Sequence, residues 1–120
     1  MSGVVLVWER DGLWEARLAR ELEPDVTVRG CRSGRDLQEK QVHRNQVLIL
    51  VDAAARDWVE LPLARRSAFA AVLLIADSAD DPAWLTAGVS ATFDATTSAG
   101  LVAEAVRQVL ASGQTAEHFR

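Results

Sequence analysis

Three stretches constrain what this 120-residue chain can fold into: Val4 to Val7, Val47 to Val51 and Ala70 to Ala76 are apolar at every position. A strand with one face in a core alternates apolar and polar residues. A run that is apolar throughout needs cover on both faces, the situation of a strand inside a parallel sheet. The runs break at Asp11-Gly12, Asp52 and Asp77. All are far short of the ~20 residues that cross a bilayer as a helix, so no membrane association is expected.

Between the runs the period changes. From Leu13 to Leu22, Trp14, Leu18 and Leu22 recur every four residues among Glu15, Arg17, Arg20 and Glu21, which predicts an amphipathic helix that stops at Pro24. Val26 and Val28 alternate with Thr27 and Arg29, the pattern of an edge strand, and Gly30 follows. Ser33 and Asp36 mark the start of a short helix reaching Val42. The Asp57 to Ser67 segment carries Trp58, Val59, Leu61 and Leu63, but Pro62 inside a continuous helix would cost ~3 kcal/mol, so a short or broken helix is expected. Pro82 opens a fourth helix and Gly88 closes it. Ala91 and Phe93 form a short fifth strand, and Thr97 or Ser98 caps a last helix. In that helix Leu101, Val102, Ala105, Val106, Val109 and Leu110 pair at four-residue spacing. The pattern is lost after Ala111, so residues 1–111 read as one domain and 112–120 as a tail or the start of a linker.

Five strand-then-helix units with short connections predict an α/β fold: a doubly wound five-stranded parallel sheet with helices on both faces. Any site should lie outside the carboxyl ends of the strands, at Trp8 to Asp11, Asp52 to Ala55, Ala76 to Ser78 and Asp94 to Thr96. Thirteen Lys plus Arg against seventeen Asp plus Glu leave a net charge of −4. No general basic field exists to hold a nucleic-acid backbone by counterion release, so direct nucleic-acid binding is not expected. The single cysteine, Cys31, cannot close an internal disulfide, and the first residues lack the features of a secretory signal, so a cytoplasmic location is expected.

Glu9 and Asp52, after the first and third strands, could together hold a hard cation such as Mg²⁺ through oxygen ligands, although acids are common in loops that cap an α/β sheet. Trp8-Glu9-Arg10-Asp11 is bulky and acidic where a dinucleotide phosphate would need small residues and open amides, so no nucleotide cofactor is expected. His43 and His118 have no second ligand at zinc spacing, and Cys31 reads as a small apolar residue rather than a nucleophile. Trp14 belongs to the stripe of the first helix. Trp8, Trp58 and Trp84 occupy positions where a large aromatic either anchors a partner or packs against neighbouring loops.

The order and lengths of these units from Val4 to Leu110, with Ala87-Gly88-Val89 before the fifth strand, resemble the receiver domain of bacterial response regulators. The resemblance implies a strand order of 2-1-3-4-5, with the first and last helices on one face and the second, third and fourth on the other. It also implies a phosphoryl site that is degenerate here. The acidic pair of active receivers aligns with Trp8 and Glu9, leaving one acid of two. The phosphoacceptor aligns with Val51, or with Asp52 one residue on. The switching hydroxyl aligns with Ala76, the aromatic of the fifth strand with Thr92, and the lysine with Ala95, followed by Thr96 in place of a proline. Phosphoryl transfer to a carboxylate needs positive charge against the developing negative charge. The sole lysine is Lys40, on the second helix, so Arg10 or Arg56 would have to substitute.

The expectation is therefore a pseudo-receiver and not an enzyme: a signalling module without cofactor that acts through contacts with a protein partner or a second copy and regulates a transcription-type output. Receiver-like dimers would use the fourth helix, fifth strand and last helix, here carrying Trp84, Thr92, Glu104 and Arg107. The alternatives are a phosphorylatable receiver using Glu9 and Asp52 with Mg²⁺, and a small-ligand binder at the same crevice.

Overall fold

The computed structural model describes residues 3–40, 46–51, 54–60, 69–77 and 88–118. In chain order the elements are β1 (Val4–Trp8), α1 (Leu13–Leu22), β2 (Thr27–Cys31), α2 (Gly34–Lys40), β3 (Val47–Val51), α3 (Ala54–Val59), β4 (Ala71–Ile75), β5 (Ala91–Phe93) and α4 (Ala99–His118). The strands form one five-stranded sheet in the order β2-β1-β3-β4-β5, and every pairing is parallel. This is the expected 2-1-3-4-5 order of a flavodoxin-like α/β fold.

Strand alternation divides the apolar runs between two cores. Val5, Val7, Val47, Ile49, Val51, Leu73 and Ile75 pack with Trp14, Leu18 and Leu22 of α1 and with Val102, Val106 and Leu110 of α4. Leu6, Trp8, Leu48, Leu50, Val72, Leu74 and Ala76 pack on the other face with Cys31, Leu37 of α2 and Trp58 of α3. Burial of each large aliphatic side chain contributes roughly 1.5–3 kcal/mol, which is why runs apolar at every position hold the centre of the sheet. The first and last helices share one face, and α2 and α3 share the other. The segment from Pro82, where a fourth helix is expected, lies outside the described residues up to Gly88, which takes a left-handed φ of 94°, a conformation open to glycine without steric cost.

Local chemistry sets the ends. Ser33 Oγ accepts the Asp36 amide at 3.1 Å at the start of α2, and Ser98 Oγ accepts the Leu101 amide at 3.4 Å at the start of α4. Two boundaries differ from expectation. α3 begins at Ala54, before Asp57, because alanines extend it backwards, and it ends at Val59 ahead of Pro62. α4 continues to His118, so the segment expected to be a tail is helical: alanine, glutamine and glutamate have enough helix propensity to carry the backbone past the end of the apolar stripe.

Candidate functional site

Register brings the strand ends level. Cys31, Trp8, Leu50, Leu74 and Thr92 form one row across the sheet, and Val51, Ile75 and Phe93 lie one residue beyond it. The residues expected to carry chemistry stand in or just past these rows.

Glu9 leaves β1 with its amide on Cys31 O at 3.1 Å and its side chain turned onto the first turn of α1. That helix starts from Gly12, at φ 79°, which has no side chain to cap it. Glu9 supplies the missing acceptors: Oε1 takes the Trp14 amide at 3.0 Å and Oε2 takes the Glu15 amide at 2.7 Å. Four amides at a helix start lack intrahelical partners, and the helix dipole favours an anion beside them. The carboxylate is buried, at 2% exposure. Burial pushes its pKa above the ordinary value, outweighing the two amide bonds that pull it down, and neighbouring Asp11 adds to the rise. Trp8 goes to the opposite face and is also 2% exposed, packed among Cys31, Leu37 and Leu50.

Val51 ends β3 with its side chain in the α1/α4 core. Asp52 lies outside the described residues, so Glu9 is the described half of the expected acidic pair. Ala76 is buried and donates its amide to Phe93 O at 3.1 Å. Thr92 and Ala95 are half-buried. Asp94 closes the turn after β5, its Oδ1 accepting the Thr96 amide at 2.8 Å and the Thr96 hydroxyl at 2.7 Å; these bonds, the amide first, hold its carboxyl below the usual range. Lys40 is engaged at the far edge of the sheet, where Nζ donates to Gly30 O at 2.6 Å and sits 3.3 Å from Asp36 Oδ1. Arg10 and Arg56 are exposed. Among the described residues no three His, Cys, Asp or Glu side chains gather to hold a metal ion.

The tryptophans resolve in favour of packing where they are described. Trp8, Trp14 and Trp58 are all buried, so Trp8 and Trp58 are not exposed anchors: strand alternation sends Trp8 under α2 and α3, and Trp58 meets Phe69 at a ring separation of 6.0 Å. Trp84 lies outside the described residues. Cys31 is buried, and burial, with Asp36 adding, pushes its thiol up to about 11, which keeps it protonated and unreactive.

Of the expected contact surface, Glu104 and Arg107 are exposed and pair at 3.7 Å. Arg107 also donates through Nη2 to Glu21 O at the end of α1, so this pair occupies the α1 flank of α4. The opposite flank follows from a 100° turn per residue: it carries Leu101, Ala105 and Val109. Leu101 is 63% exposed, while Val102 and Val106 are fully buried. Ala105, Val109 and the β5 residue Phe93 are half-buried against the core. The four-residue spacing therefore contained two stripes, one buried and one open, and the doubled spacing was the signal from which the open stripe could have been read.

Comparison with protein-family models, with curated proteins and with solved structures gives no match. Among the described residues no helix is long and apolar enough to cross a membrane.

Proposed function

We propose that this chain is a receiver-like signalling module of the response-regulator type, acting in the cytoplasm through protein contacts rather than phosphoryl transfer, and regulating a transcription-type output. The observation that carries this reading is the use of the charged groups. Glu9, the surviving acid, gives both oxygens to α1 amides, and Lys40, the only ammonium side chain, bonds Gly30 O. Among the described residues Glu9 is committed to α1 and Lys40 to the β2 edge, so neither this acid nor the one ammonium is free for a phosphoryl group at the strand ends. Ala76 has no hydroxyl to follow a phosphoryl oxygen, and Thr92 has no ring to move in response.

Support for a contact role comes from the open stripe of α4. Exposed Leu101, continued by half-buried Ala105, Val109 and Phe93, gives an apolar strip of the kind that an interface covers. The test is titration with Mg²⁺ and beryllofluoride, a phosphoryl mimic, followed by amide chemical shifts. The expected result is no saturable change running from the β3 end to β5. Changes that spread from Asp52 to β5 and vanish in Asp52→Ala would replace this reading with that of a phosphorylatable receiver.

A further inference from the structure

β2 forms one outer edge of the sheet. Thr27 donates its amide to Gly3 O, and Cys31 O accepts the Glu9 amide. In a parallel ladder both backbone groups of alternate residues face the same neighbour. Thr27, Arg29 and Cys31 therefore pair with β1, while Val28 and Gly30 direct their amides and carbonyls away from the sheet. Lys40 covers Gly30 O, and the Arg32 amide beyond the strand is taken by Asp36 at 2.9 Å. Among the described residues nothing pairs with the Val28 amide, the Val28 carbonyl or the Gly30 amide.

These groups open into a cleft of about 380 Å³ that runs along the edge, walled by Glu15 and Arg32 on the α1 side and by Asp36 and Lys40 on the α2 side. A Cβ at Gly30 would lie 2.2 Å from Glu15 Oε1, so glycine makes room for the Glu15 side chain over the strand. The cleft carries three cations, Arg29, Arg32 and Lys40, against two carboxylates, in a chain whose net charge is −4. Arg32 and Lys40 have carboxylate partners. Arg29 is exposed and has no ion pair among the described residues.

From this arrangement we infer that β2 accepts an extended segment of a partner protein as a sixth strand, with an acidic side chain opposite Arg29. A second copy fits poorly. Antiparallel pairing of two β2 edges centred on Arg29 needs the Gly30 carbonyl that Lys40 already covers and sets the two arginines directly across from each other, and like charges so placed are destabilising. Arg29 thus disfavours self-pairing in that register while selecting an acidic partner, a charged guard on an edge strand. The inference rests on the reading of the chain as a contact module. Its test reads the β2 edge, whereas the beryllofluoride titration reads the strand ends, so a failure of one is distinguishable from a failure of the other.

The probe is the synthetic peptide Thr-Val-Thr-Glu-Thr-Val-Thr, compared with the same peptide carrying Lys at its centre, each titrated into the full chain while backbone amide shifts are recorded. The expected result is saturable shifts at Val28 and Gly30 with the Glu peptide and binding about five-fold weaker with the Lys peptide, the ratio given by ~1 kcal/mol for one cross-strand charge pair. In Arg29→Glu, an exposed substitution whose folding the same spectra report, the preference should reverse. Shifts at β2 with neither peptide, equal affinity for both, or concentration-dependent Val28 and Gly30 shifts in the protein alone would each overturn the inference.

Discussion

Replacing Glu9 by alanine removes the acceptors of the Trp14 and Glu15 amides and leaves Asp11 Oδ1 on the Leu13 amide at 3.3 Å, and the consequence can be worked from the two lost bonds. The Trp14 and Glu15 amides lose partners at 3.0 and 2.7 Å, and Gly12 has no side chain to take over. Loss of a helix cap costs up to about 2 kcal/mol, and the two amides left without acceptors place Glu9 at the upper end of that range. The expected destabilisation of Glu9→Ala is about 2 kcal/mol, a fall in Tm of roughly 10 °C for a domain near 100 residues. Equilibrium urea unfolding with a single transition measures it. Glu9→Gln separates acceptor from charge, because one oxygen remains while the ionisable group is lost. Burial holds the folded pKa of Glu9 above the ordinary glutamate value, so the native state binds the proton more tightly than the unfolded chain. This contribution to wild-type stability is full below pH 4.5 and is lost as pH rises through the folded pKa. In Glu9→Gln that slope should disappear. A change below ~0.5 kcal/mol in Glu9→Ala, the size of an ordinary surface substitution, would refute the cap, and an unchanged pH slope in Glu9→Gln would refute the buried charge.

Further outcomes follow from burial and backbone geometry. Val106→Ala, at 0% exposure, should cost about 2 kcal/mol through lost transfer energy and a residual cavity, whereas Leu101→Ala at 63% exposure should cost below ~0.5 kcal/mol yet weaken any dimer seen by sedimentation; the reverse pattern would contradict the two-stripe reading of α4. Gly88→Ala has open space for its Cβ but a φ of +94°, so it should lose about 1–2 kcal/mol to backbone strain alone, measured by thermal unfolding. The Cys31 thiol, pushed up to about 11 by burial, should react with a thiol-specific chromogenic disulfide at pH 8 only as fast as the chain opens; labelling faster than unfolding would contradict its burial.

The sheet was legible because apolar runs covered on both faces have one common solution, and Val4 to Val7, Val47 to Val51 and Ala70 to Ala76 all belong to it. The helix starts at Ser33 and Ser98 were legible for a local reason, since a hydroxyl three residues before an amide identifies itself. Glu9 stood out in the sequence as a candidate site residue, but its direction was not legible: whether a carboxylate after a strand faces across the sheet or down onto the next helix depends on the Asp11-Gly12 turn that brings the α1 amides under it. The burial of Trp8 likewise follows from register rather than residue type. The β2 cleft escaped notice because its walls come from α1 and α2 at once. Lys40, placed on the second helix from the sequence, reaches the sheet edge at Gly30 O for the same reason.

The central claim is that the fold is kept for contact while phosphoryl chemistry is absent. Its most direct measurement is the intact mass of the chain after incubation with Mg²⁺ and acetyl phosphate, beside an Asp52→Ala control. Unmodified protein in both samples is the result expected here; a phosphoryl adduct in the wild type that is missing from Asp52→Ala would contradict the account.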